Sequence, residues 1–331
     1  MAKTAVLKVT RVTDLCPMTI GTDLHEAACL LQGGSLVAIP TETVYGLAAN
    51  AFDEAAVLRI FAAKDRPSFD PLIVHIGRPE DIHRVARELP LHAKALMAAF
   101  WPGPLTLLLP KRAEVPDLVT SGLDTVGVRM PAHPMTLELL RTLPFPLAAP
   151  SANPFGYVSP TTAQHVADQL GARVPYILDG GPCAVGVEST IIGWVDGRWL
   201  LYRPGGIATE AIEHITGPLT LAARKDLPAA PGMLDSHYAP RKPLYRGDVE
   251  TLLNRFAGRS VGVISFQREY LAYRCEVLSE QGDLAEAARH LFAVLREMDE
   301  SECSVIVAEE FPEEGLGRAI NDRLRRASAA R

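Results

Sequence analysis

Lys64-Asp65-Arg66-Pro67-Ser68-Phe69-Asp70-Pro71 runs directly into Leu72-Ile73-Val74-His75-Ile76. The prolines mark the first part as a loop, and the second is an apolar run short enough to be a buried strand. Strand alternation puts Leu72, Val74 and Ile76 on one face and Ile73 and His75 on the other. Lys64 and Arg66 then stand at the lip of that strand, a planar donor fork beside a mobile point charge, which together suit phosphate. Lys and Arg are mostly exposed, so the same pair also reads as a solvated turn that contributes little to folding. What tilts the reading toward a pocket is His75, a titratable ring inside the apolar run.

Outward from this stretch, residues up to about 216 alternate short apolar runs with amphipathic ones, the pattern of an α/β domain. Helices are expected to begin near Asp23, Asp53, Pro79, His92, Thr136, Thr161 and Thr209. Strands are expected at 35–39, 72–76, 105–109, 125–130, 147–150, 176–178, 190–194 and 199–202, the last two flanking the hairpin signal Asp196-Gly197. From Gly217 to Pro243 five prolines, Pro218, Pro228, Pro231, Pro240 and Pro243, mark an extended connector. A smaller α/β unit follows, with strands at 260–266 and 305–308, a helix near 284–298 and a final basic helix ending near Ala327. The expected division is therefore 1–216, a connector at 217–243, and 244–331.

Composition limits what the chain can do. In residues 1–220, 17 Lys and Arg stand against 21 Asp and Glu, and 16 against 18 in the remainder. Neither part is basic, so non-specific nucleic-acid binding is a poor candidate for the main activity. Five cysteines, Cys16, Cys29, Cys183, Cys275 and Cys303, include no CxxC pair and suggest neither a disulfide framework nor a zinc site. The N-terminus does not read as a signal peptide, and no apolar run reaches the roughly 18 residues of a membrane span. A reducing cytoplasm is the expected compartment.

Further loops at strand ends carry polar groups where α/β sheets bind ligands. Pro40-Thr41-Glu42-Thr43-Val44-Tyr45-Gly46 offers hydroxyls and a carboxylate, and Pro150-Ser151-Ala152-Asn153 offers two small polar groups. Ser151 lacks the Gly-x-Ser-x-Gly setting of a nucleophile. Glu188-Ser189-Thr190 enters a strand, and Tyr202-Arg203-Pro204-Gly205-Gly206 leaves the hairpin with an Arg beside a glycine turn. No G-x-x-x-x-G-K-[ST] is present, so phosphates are not held by a Walker loop. Ser236-His237-Tyr238-Ala239-Pro240 puts an aromatic pair in a connector, better explained by a segment that folds over a pocket than by a spacer. Each fragment alone is equally an ordinary turn.

In this order, PTETVYGL, KDRPSFDPLIVHI, WPGPLTLLL, VGVRMP, APSAN, VESTI, YRPG and SHYAP resemble the YrdC-like family of threonylcarbamoyl-AMP synthases in its long form. The tail Gly315–Arg323 is similar to the end of that form. The resemblance implies a YrdC-like twisted mixed sheet with flanking helices, plus a smaller C-terminal Rossmann-like α/β domain. It implies that L-threonine, bicarbonate or CO2, and ATP give threonylcarbamoyl-adenylate and pyrophosphate, the first step of threonylcarbamoyladenosine modification at position 37 of tRNA. Downstream tRNA threonylcarbamoyl-transfer enzymes would be partners, with at most a weak tRNA contact and no membrane.

Residue by residue, the resemblance gives Arg129 as anchor of the threonine carboxylate, with Thr43, His75, Ser189 and the backbone at Ala149 as further threonine contacts. Arg66, Asp70, Thr125, Ser151, Ser159, Arg203 and Tyr238 carry over as ATP contacts, with Lys64 and Arg66 as the catalytic cations. Mg2+ would accompany ATP through its phosphates rather than in a carboxylate cage. Asp70 stands where the family usually has Asn, and Asp65 where it often has Gly. Two added carboxylates beside the cations are expected to lower the local positive potential. The alternative class is a double-stranded RNA-binding or ribosome-associated module, which needs a basic concave face.

Overall fold

The computed structural model describes residues 18–222, 230–234 and 236–329; Cys16 and Pro228 lie outside them. Eleven strands form one mixed sheet in the order Thr19–Gly21, Tyr176–Leu178, Val37–Ile39, Gly46–Asn50, Leu147–Ala148, Ile73–His75, Thr125–Arg129, Leu105–Pro110, Thr190–Val195, Arg198–Arg203 and Thr220–Leu221. A separate four-stranded sheet runs Leu244–Arg246, Val305–Ala308, Val261–Ser265, Arg274–Val277, every pairing parallel. This is the α/β architecture that the alternating pattern called for, and the large mixed sheet with a second, parallel one fits what the resemblance implied.

Local chemistry sets the helix starts. Asp23, Asp53 and Asp283 each turn a carboxylate onto the first backbone N–H groups of Leu24–Gln32, Glu54–Lys64 and Leu284–Glu300. Thr162, rather than Thr161, caps Ala163–Leu170. The stretch at Pro79 is corrected to a six-residue 3-10 helix, Pro79–Arg84. It is too short to propagate as an α-helix, and the Asp81 carboxylate holds the Arg78 N–H at 3.1 Å.

One central strand escaped the periodicity. Gly46–Asn50 pairs antiparallel with Val37–Ile39 and Leu147–Ala148, yet its sequence is small residues rather than β-branched ones. The crowding accounts for the choice: a Cβ on Gly46 would lie 3.2 Å from that of Ala149. In the second unit the helix Val249–Arg255 and the strands Leu244–Arg246 and Arg274–Val277 also go beyond the sequence reading.

Alternation in the opening stretch holds. Leu72, Val74 and Ile76 join the main core with Val126 and Val128, while Ile73 packs on the other side with Leu108 and Ile191. The two units share an apolar cluster. Val44, Val158 and Val187 of the first meet Tyr238 of the connector and Ala288, Leu291, Phe292 and Leu295 of the second. The units pack tightly at Gly186, in the left-handed region at φ 79°, where a Cβ would come within 2.4 Å of the Arg289 backbone. No helix among the described residues is long and apolar enough to cross a membrane.

Candidate active site

Parallel pairing of Ile73–His75 with Thr125–Arg129 sets His75 opposite Arg129 in register, so both side chains leave the sheet together. They enter a small cavity of about 50 Å³, lined also by Thr43, Arg66, Ala149, Ser151, Ser189, Arg203 and Tyr238. Nine residues named from the sequence thus surround one space.

The Arg129 guanidinium is fixed on three sides. Its Nε donates to the Gly103 carbonyl (3.2 Å), Nη1 to the Thr43 hydroxyl (2.9 Å), and Nη2 to Glu42 (2.5 Å). The other Glu42 oxygen accepts the Ala132 N–H at 3.0 Å. A guanidinium held this way is pre-oriented, and its remaining N–H groups can bind a carboxylate. Beside it, burial and the Arg129 charge push His75 down to about 3, so the ring is neutral. Its buried Nδ1 has no hydrogen-bond partner, which leaves it free for a ligand.

Across the cavity, Thr106 and Ser189 share a hydroxyl contact at 2.8 Å. Arg203 donates through Nη2 to the Ser189 carbonyl (2.9 Å) and through Nη1 to the Pro231 carbonyl (3.1 Å), so it touches both floor and connector. Connector residues Pro231, Gly232, His237 and Tyr238 form one wall. The Tyr238 hydroxyl is buried and unpartnered. This segment crosses the pocket rather than leaving it.

Lys64 and Arg66 are not solvated. They are 1% and 7% exposed, so the solvated-turn reading is overturned. Lys64 donates to the Ser151 and Asn153 carbonyls, and burial with repulsion from Arg66 pushes its pKa well below the usual range. Arg66 donates to the Asp70 and Pro71 carbonyls at 3.1 and 2.9 Å and forms an ion pair with the Asp70 carboxylate at 2.9 Å. Burial raises Asp70 against the opposing pull of that partner. Asp65 departs from expectation too. Its carboxylate pairs with Arg173 at 3.0 Å, is 78% exposed, and does not line the cavity.

Lys64, Asp70, Thr125 and Ser159 do not line the cavity themselves. Thr125 begins the strand that Arg129 ends, on the same sheet face, about 13 Å away at roughly 3.3 Å per residue. Ser159 lies behind the wall, its hydroxyl donating to Glu188 at 2.6 Å. Two carboxylates at the site went unassigned by sequence reasoning, Glu42 and Glu188. Both lie in motifs visible in the sequence, but the partners that give these groups meaning lie 87 and 135 residues away.

The family described as telomere recombination, Sua5/YciO/YrdC, matches residues 29–205, and the threonylcarbamoyl-AMP synthase C-terminal domain matches residues 207–329. A threonylcarbamoyl-AMP synthase of Pyrococcus abyssi is 45% identical over 322 residues, spanning 92% of this chain and 94% of its own. One from Bacillus subtilis is 43% identical, covering 93% of each. The crystal structure of Pyrococcus abyssi Sua5 complexed with L-threonine superposes with a TM-score of 0.88 at 43% identity, over 94% of this chain and 97% of that one. These relatives do not favour the RNA-binding alternative.

Proposed function

The chain belongs to the threonylcarbamoyl-AMP synthase family, whose members make threonylcarbamoyl-adenylate from L-threonine, bicarbonate and ATP, and we propose that the cavity beside Arg129 and His75 is where it does so. The observation that carries this reading is the Arg129 guanidinium, held by Gly103, Thr43 and Glu42 with donors to spare beside a neutral His75. Arg129 takes the threonine carboxylate. Thr43, His75, Ser189 and the backbone at Ala149 surround the rest of the amino acid.

ATP lies toward Arg66, Asp70, Thr125, Ser151, Ser159, Arg203 and Tyr238. A carbamate oxygen on the threonine nitrogen attacks the α-phosphorus, an O–P bond forms, and the bond to pyrophosphate breaks. Two anions must meet, so Lys64 and Arg66 act by offsetting phosphate charge, and the fixed pocket acts by positioning. An arriving phosphate opposes the downward push on Lys64, because a nearby negative charge favours the ammonium form. Asp70 enters as the partner that orients Arg66.

Mg2+ would arrive as an ion carried on the ATP phosphates, where it would offset their charge. The product is passed to tRNA threonylcarbamoyl-transfer enzymes, in the cytoplasm. The test is threonine-dependent conversion of ATP to AMP and pyrophosphate in bicarbonate buffer. Conversion that ignores threonine overturns the reading.

A further inference from the structure

Arg323 has the largest fully buried side chain among the described residues, and it belongs to the second unit, on the last helix Gly317–Ala327. A buried guanidinium is costly unless its donors are met. Within its own unit it meets the neighbouring Asp322 carboxylate at 2.9 Å. Its other contacts cross to the pocket. Nε donates to Glu188 at 2.7 Å, Nη1 to the Pro204 carbonyl at 3.0 Å, and the guanidinium lies 5.1 Å from the centre of the Tyr238 ring.

Those contacts are selective. Glu188 lines the cavity, and the carboxylate oxygen not taken by Arg323 accepts the Ser159 hydroxyl. Tyr238 is the connector ring that walls the same side. One turn along, on the same helix face, Arg326 donates to the Leu234 carbonyl, and its own carbonyl accepts the His237 N–H at 3.3 Å. Thr43, His75 and Arg129 are not among the Arg323 partners. Through Arg323 and Arg326 the second unit thus grips the connector from outside and the Glu188 side of the cavity from behind.

We propose that Arg323 is a positioning residue for the nucleotide, inserted by the second unit to fix the Glu188 carboxylate and the Tyr238 ring and so hold the connector shut. The inference rests on the pocket being the synthase site and assigns the second unit a role there. Lysine at this position keeps the charge but loses the fork and the flat face against Tyr238.

The experiment uses the full chain with Arg323→Lys, Arg323→Gln and Glu188→Gln. Folding is checked by thermal melting, and steady-state kinetics are run with each substrate varied in turn. Hydrogen exchange is followed at the His237 and Ala239 amides, which donate to the Arg326 and Gly156 carbonyls. In Arg323→Lys the KM for ATP is expected to rise about tenfold or more, as loss of one charged hydrogen bond implies. The KM for threonine should stay within about threefold, and both amides should exchange faster. Equal rises for both substrates, or unchanged exchange in a folded variant, overturn the proposal. A wild-type chain without threonine-dependent turnover overturns the assigned reaction instead, and the exchange readout still decides the latch.

Discussion

Arg129→Ala should raise the KM for threonine by one to two decades and leave the KM for ATP nearly unchanged. The magnitude follows from the contacts. A charge-assisted hydrogen bond contributes about 1.5–3 kcal/mol, and 1.4 kcal/mol is tenfold in affinity. A second cost comes with it. Glu42 loses its buried ion-pair partner, and an unpaired buried carboxylate destabilises a fold by about 3–5 kcal/mol. Arg129→Ala is therefore paired with Glu42→Gln/Arg129→Ala, which removes the stranded charge and restores most of the melting temperature without restoring threonine affinity. Arg129→Lys should rescue only part, because a point charge cannot serve Gly103, Thr43, Glu42 and a ligand at once. The assay is pyrophosphate release with threonine titrated at saturating ATP, then the reverse. Equal loss of both affinities, or full rescue by lysine, refutes the anchor.

Lys64→Ala should reduce adenylate formation by one to two decades and also lower the melting temperature, since the Ser151 and Asn153 carbonyls lose a buried donor at a cost of about 1–3 kcal/mol; an unmoved melting temperature would return Lys64 to the surface. For His75, the folded pKa of about 3 lies below the ordinary 6.5, so the unfolded chain takes the proton first. Its stabilisation is full above pH 6.5 and is lost as pH falls toward 3, about 1.4 kcal/mol at pH 5.5. Asp70 is shifted upward and acts with the opposite sign, so the readout is the difference between wild type and His75→Asn in melting temperature from pH 7 to 5, which should narrow as the pH drops. Asp65→Gly should stabilise by up to about 1 kcal/mol, because Asp65 ends its helix in the left-handed region at φ 53° and its exposed pair with Arg173 contributes little; a lower melting temperature would show that the pair outweighs the backbone term.

Where local rules act alone, the sequence is readable. Asp23 and Asp53 announce their helices, Asp196-Gly197 announces its hairpin, and period-two alternation is enough to turn His75 toward the pocket. Gly46–Asn50 fails the same test because crowding against Ala149, not propensity, selects its residues. Lys64 and Arg66 were legible as a cation pair, but their burial depends on carbonyls at 151 and 153 that no local rule places there. Glu42 and Glu188 show the limit most clearly. A carboxylate in a loop has no readable role until the fold supplies its arginine, and for Glu188 that arginine comes from a different unit. Thr125 and Ser159 were nameable only by resemblance, and here they stand behind or beyond the cavity wall.

Tyr238 sits at φ 62°, a backbone setting that a residue with a side chain reaches at a cost of about 1–2 kcal/mol. Its ring is gripped by Arg323 and packed against Phe292, so the shut connector is both clasped and strained. One or two kcal/mol is a factor of about 5–30 in a population, enough to keep the door from resting immovably closed. Dwell time then depends on the cargo. Whatever binds better to the shut form tips the balance toward it, and that bias disappears once the contents change. A mixed anhydride hydrolyses in water, so such a door suits its formation: it excludes water while loaded and swings back without a separate trigger.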